Sequence, residues 1–171
     1  PFFKGRAKSV YMLLIPVAGF LNLIHIPTGG HHYLAFGDFN LVLLHVDRLS
    51  LLFGYIFHII SFITIIYILG FKNDIEYVAG FFYAGAAFGT IFAGDLFTFF
   101  VFWESLTIGS VILVWSSRTT KAQAAGFRYF MIHVFAGLLL LAGIALHYSH
   151  TGSLQMSLMT LSGPGSWFMF L

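Results

Sequence analysis

Residues 96–117 read LFTFFVFWESLTIGSVILVWSS, and Glu104 near the middle is their only charge. The run is long enough to cross a bilayer as a helix, which needs about 20 apolar residues. A carboxylate at the centre of such a span costs roughly 2.5–3.5 kcal/mol on insertion scales. A chain this poor in charge has little structural reason to carry that cost. Ionisable groups inside membranes mark ion and proton paths. Glu104 is therefore the candidate coupling residue for a proton or a cation. The competing reading is a protonated Glu104 that only hydrogen-bonds for helix packing.

On a helix the neighbours of Glu104 are Phe100, Val101, Thr107 and Ile108. Thr107 is a candidate hydrogen-bond donor to the carboxylate. Removal of water favours the neutral acid, and a nearby cation favours the charged form. His133, a lysine beyond Leu171 or a transported ion are the candidates for that cation. Asp95, eight residues before Glu104, stands where a helix N-terminus favours a negative group. It reads as an N-cap, with an outer vestibule charge as the alternative.

The rest of the chain fits a membrane class. Of its 171 residues, 59% are hydrophobic and 8% charged, against about 25% charged in an average soluble protein. The mean hydropathy is +0.92. The pI near 9.0 does not imply nucleic acid, because eight Lys and Arg form no basic surface. With no cysteine, disulfides, zinc-thiolate sites and cysteine-ligated clusters are excluded. No signal peptide is recognisable.

Five apolar spans stand out, at about 10–26, 49–70, 75–94, 96–117 and 124–146, and a sixth starts at Trp167. The expected fold is an all-α integral membrane protein with five transmembrane helices, packed as a compact bundle, plus the start of a sixth. The whole is one membrane domain, 1–171, read as the N-terminal part of a longer subunit. Between the first two spans, HHYLAFGDFNLVLLHV at 31–46 places Gly37-Asp38 between two β-prone runs. That pattern predicts a short extracytoplasmic hairpin or amphipathic segment.

Lys4, Arg6, Lys8, Lys72, Arg118 and Lys121 fall on one side of these spans and Arg48 on the other. The excess puts Lys4–Lys8 on the cytoplasmic side. Arg128, just inside the fifth span, snorkels to the same face. Gly85 and Gly89 form a GxxxG in the third span, a packing motif.

His58 and His133 lie within spans, and imidazole exchanges protons near neutral pH. His133 is the better candidate relay, near mid-depth on the span after Glu104. His133 and His147, fourteen residues apart, would be about 21 Å apart on a helix. That could serve two stacked haems, but only with a matching pair on a second helix. No cofactor, metal or redox site is expected.

Three segments carry a resemblance: AGDLFTFFVFWE at 93–104, VDRLSLLFG at 46–54 and AAGFRYFMIH at 124–133. Together they resemble the antiporter-like membrane subunits shared by respiratory complex I and Mrp-type cation/proton antiporters. The register matches over nearly the whole chain, and the flavour is that of the D-type Mrp subunits. The resemblance implies about fourteen transmembrane helices with two inverted repeats of five. The chain would cover the second to sixth and the start of the seventh. Glu104 corresponds to the family's fifth-helix glutamate. Its partner there is a lysine on the broken seventh helix, which would fall just beyond Leu171. The family often carries another polar residue at His133, so no role is carried over to it.

The expected function is proton/cation translocation in a multisubunit Mrp-type Na⁺/H⁺ antiporter of the bacterial cytoplasmic (inner) membrane. The alternative is a proton-pumping subunit of complex I or a related membrane hydrogenase. Expected partners are other membrane subunits, H⁺, Na⁺ and lipid, without nucleic acid.

Overall fold

The computed structural model describes residues 6–29, 31–36, 39–69 and 74–156. The expected Gly37-Asp38 turn, Lys4, Lys72 and the span from Trp167 lie outside these residues. Five helices, α1 (Arg6–His25), α2 (Arg48–Ile68), α3 (Asp74–Phe92), α4 (Leu96–Trp115) and α5 (Thr120–Thr151), are long and apolar enough to cross a membrane. Their outer surface is apolar. Ile63 on α2 is 60% exposed, and Ile132 and Phe135 on α5 are 68% and 65% exposed. Apolar patches of that extent are rare on soluble monomers.

Among the described residues the close helix packings run between chain neighbours, α1 with α2, α2 with α3, α3 with α4 and α4 with α5. Short links make consecutive helices antiparallel neighbours. Met12, Ile65 and Tyr77 form an apolar cluster at one end of α1–α3, and Leu23, Val46 and Phe92 form one at the other. At the first end the Lys8 ammonium lies 4.2 Å from the centre of the Tyr77 ring. The Tyr77 hydroxyl donates to the Ile68 carbonyl at 2.8 Å.

Local chemistry sets the helix ends. Asp47 caps α2 through a reciprocal pair with Ser50: Ser50 N–H donates to Asp47 Oδ1 at 2.6 Å, and Asp47 N–H donates to Ser50 Oγ at 2.9 Å. Helix α5 is 32 residues long, roughly 48 Å at 1.5 Å per residue. It starts before and ends beyond the apolar run at 124–146. Thr119 caps its start by accepting from Ala122 N–H at 3.1 Å. Gly152 stops it in the left-handed conformation, φ 66°.

Strands β1 (His31–Phe36) and β2 (Phe39–His45) pair antiparallel, with an irregularity between His32 and Tyr33. The hairpin is fastened to the start of α4. Gly94 N–H donates to the Val42 carbonyl at 2.9 Å. Asp95 accepts Val42 N–H, Thr98 N–H at 2.7 Å and the Thr98 hydroxyl at 2.9 Å. On the other side Leu96 N–H donates to Leu154 O at 2.9 Å. Asp95 is 2% exposed. It is an N-cap with a further bond to the hairpin, and its burial rules out the vestibule reading.

The GxxxG motif acts at one of its two ends. A Cβ on Gly89 would collide with the Phe102 ring of α4, whereas Gly85 has nothing within 4 Å of that position.

Candidate functional site

Helix α4 is held between two neighbours. Toward α3, Phe102 covers Gly89, and Gly109 lies on Phe82 and Tyr83. Toward α5, Glu104 faces Gly137, the Ser110 hydroxyl lies 3.0 Å from that of Tyr129, and Trp115 lies on Gly126. These three pairs share one antiparallel register, set by the short link at 116–119. Glu104 therefore points into the α4–α5 seam. Its Oε1 is buried without a hydrogen-bond partner and lies where a Cβ of residue 137 would be. An unsatisfied buried acceptor is costly in a native structure. A proton, a cation or a hydrogen-bond donor would each satisfy it.

Thr107 does not supply that donor. It is 3% exposed, and its hydroxyl turns to the Trp103 carbonyl at 3.5 Å. This corrects the expected hydrogen bond to Glu104. In a helix a threonine hydroxyl reaches the carbonyl one turn back, and that local partner wins. His133 sits one turn before Gly137 on the same face of α5, so the register brings it opposite Thr107. It is half-buried. Its ring centroid is 4.2 Å from that of Tyr129.

His58 belongs to a different seam. Its Nδ1 lies 2.7 Å from the Gly54 carbonyl and is therefore the protonated nitrogen. The ring packs against Phe88, centroids 4.2 Å apart, and fills the space left by Gly19. It is a packing residue between α1, α2 and α3. His45 lies in β2 rather than on the helix of His58. The second histidine pair that the haem reading requires is thus not formed.

Sequence reasoning missed Gly137 as the neighbour of Glu104 and the Ser110–Tyr129 pair. The pairs are symmetric about residue 120 rather than about the middle of the link at 116–119, so counting outward from the link does not find them.

Five helices long and apolar enough to cross a membrane, with a carboxylate in one seam, define a multi-pass membrane protein. Residues 93–171 match the family described as NADH:quinone oxidoreductase/Mrp antiporter, TM. The chain is 39% identical over 77 residues to the D-type subunit of the Na⁺/H⁺ antiporter of Alkalihalophilus pseudofirmus, covering 45% of this chain and 16% of that protein. It is 28% identical over 176 residues to the A1 subunit of the Na⁺/H⁺ antiporter of Staphylococcus aureus, covering 92% of this chain and 22% of that one. A chain of respiratory complex I from Thermus thermophilus shares the fold, with TM-score 0.74 and 22% identity over 96% of this chain and 36% of that one. The chain is thus similar in sequence to subunits of Na⁺/H⁺ antiporters and in fold to a membrane chain of complex I. It spans less than a quarter of the length of the curated relatives named here.

Proposed function

We propose that this chain is the part of an Mrp-type Na⁺/H⁺ antiporter subunit that carries the ion path through Glu104. The observation that carries the reading is the unpartnered, buried Oε1 of Glu104 in the α4–α5 seam. In a low-dielectric seam a carboxylate without a donor is satisfied by a proton or by a cation, and the two compete for it. That competition is the elementary step of exchange. His133, one turn away, is the relay that exchanges protons with Glu104. Thr107 shapes the seam by packing. The likeness to the D-type and A1 antiporter subunits supports Na⁺ and H⁺ as the ions and other membrane subunits as partners. The basic residues Lys8, Arg118 and Lys121 support a cytoplasmic position for the Lys8 side and a bacterial cytoplasmic membrane for the chain. The second reading, a proton-pumping subunit of complex I or a membrane hydrogenase, is favoured by the family description and the Thermus thermophilus fold match.

The test expresses the protein with its neighbouring genes in cells lacking their own antiporters. Inverted vesicles are energised, Na⁺ is added, and the pH gradient is followed by dye fluorescence, with Glu104→Gln beside wild type. A Na⁺-induced collapse of the gradient that is lost in the variant is the expected result. Wild-type exchange in the variant refutes the role of Glu104. No response to Na⁺ from an assembled complex transfers the weight to the redox-driven pump.

A further inference from the structure

Tyr129 is 36% exposed, and a tyrosine hydroxyl away from water needs a partner. It finds Ser110 across the seam at 3.0 Å. Ser110 Oγ also lies 2.8 Å from the Thr107 carbonyl. A carbonyl only accepts, so the single serine proton goes to Thr107 O and the tyrosine O–H donates to Ser110 Oγ. The tyrosine ring is thereby tied to α4 while its backbone belongs to α5. Its face lies against the imidazole of His133 at an interplanar angle of 47°. Tyr129, His133 and Gly137 are spaced four apart on one face of α5, and Gly137 abuts Glu104.

We propose that Tyr129 is a positioning residue of the ion path. Anchored to α4 through Ser110, it holds the His133 imidazole on the face of α5 that leads to Glu104. Without that anchor the imidazole is free to swing about two side-chain bonds, out of line with the carboxylate. Glu104 is the sole ionisable side chain of α4, the helix packed against α5, and Tyr129 is the neighbour on α5 itself. The proposal rests on the reading of Glu104 as the coupling residue.

The test uses the same vesicles with equal amounts of assembled complex. Tyr129→Phe keeps the ring and deletes the hydroxyl, and Ser110→Ala deletes the other half of the bond. Each is expected to slow exchange about five-fold, the factor that one hydrogen bond of ordinary strength represents. Each is also expected to move the pH at which exchange is half-maximal. The double variant is expected to match either single one, and Tyr129→Phe to add nothing in a His133→Gln background. A wild-type rate and pH profile in Tyr129→Phe, or an undiminished loss in the His133→Gln background, overturns the proposal. Glu104→Gln separates the two readings. If it is inactive while Tyr129→Phe behaves as wild type, the positioning role alone fails. If it is active, the coupling role fails with it.

Discussion

Glu104 Oε1 on α4 occupies the position that a side-chain carbon on residue 137 of α5 would need. The carboxylate thus has its place because Gly137 has no side chain. Gly137→Ala forces the two helices apart or the carboxylate out of the seam. Overpacking of this kind costs about 1–3 kcal/mol. Thermal unfolding in detergent is expected to register that loss, and the vesicle assay a loss of exchange. In a Glu104→Ala background the obstacle is gone, and Gly137→Ala is expected to become neutral or stabilising, since alanine favours helix. An equal loss in both backgrounds would contradict the steric relation.

Asp95 accepts three hydrogen bonds while 2% exposed. Asp95→Asn keeps one oxygen and replaces the other by a donor, so it breaks either the Thr98 N–H bond or the pair on the other oxygen. A buried hydrogen bond to a charged group is worth about 1.5–3 kcal/mol. The variant is expected to unfold at lower temperature, and proteolysis to cut the hairpin at 31–45 sooner. Wild-type stability would show that the hairpin is not held by this carboxylate.

The Asp47 cap has a pH signature. The Ser50 N–H, then the Ser50 hydroxyl, hold the Asp47 carboxyl below its ordinary value of 3.8. A folded-state value below the unfolded one gives stability that is complete above the unfolded value and is lost as pH falls through the folded one. Asp47→Ala is therefore expected to cost about 1 kcal/mol at neutral pH. The gap between wild type and variant is expected to close only below pH 3.8. A gap that closes between about pH 5 and 7, where histidines titrate, would point to a different group.

Two of the third helix's glycines, Gly85 and Gly89, are expected to part company. At Gly85 a methyl group meets nothing within 4 Å, whereas at Gly89 it meets the Phe102 ring. Gly85→Ala is expected to stabilise by about 0.5–1 kcal/mol through helix propensity. Gly89→Ala is expected to destabilise by about 1–3 kcal/mol through overpacking against α4. Equal effects in thermal unfolding would mean that both or neither lie at the interface.

The membrane class and the five helices were legible in the sequence because lipid demands long apolar runs. Glu104 was legible for the same reason, as the one charge in its run. The caps at Asp47 and Asp95 follow from side chains that bond a few residues away. What lies opposite Glu104 was harder to read, since that depends on the register between α4 and α5. Thr107 was assigned to the carboxylate by spacing along one helix. Spacing does not register competition from the carbonyl of Trp103. The third bond of Asp95, to Val42, joins residues 53 apart, and no local pattern announces it. Helix α5 outran its apolar core because Thr119 and Gly152, rather than hydrophobicity, set its ends.

The fastening of the first turn of α4 has a mechanical consequence. Gly94, Asp95 and Leu96 are tied to the hairpin on one side and to Leu154 on the other. A piston-like slide of α4 along its axis would break several buried hydrogen bonds at once, each worth about 1–3 kcal/mol when left unmade. The carboxylate further along the same helix therefore keeps a constant depth. Under the proposed function, ions and waters travel to a stationary Glu104, and any alternation between the two sides of the membrane falls to the groups around it.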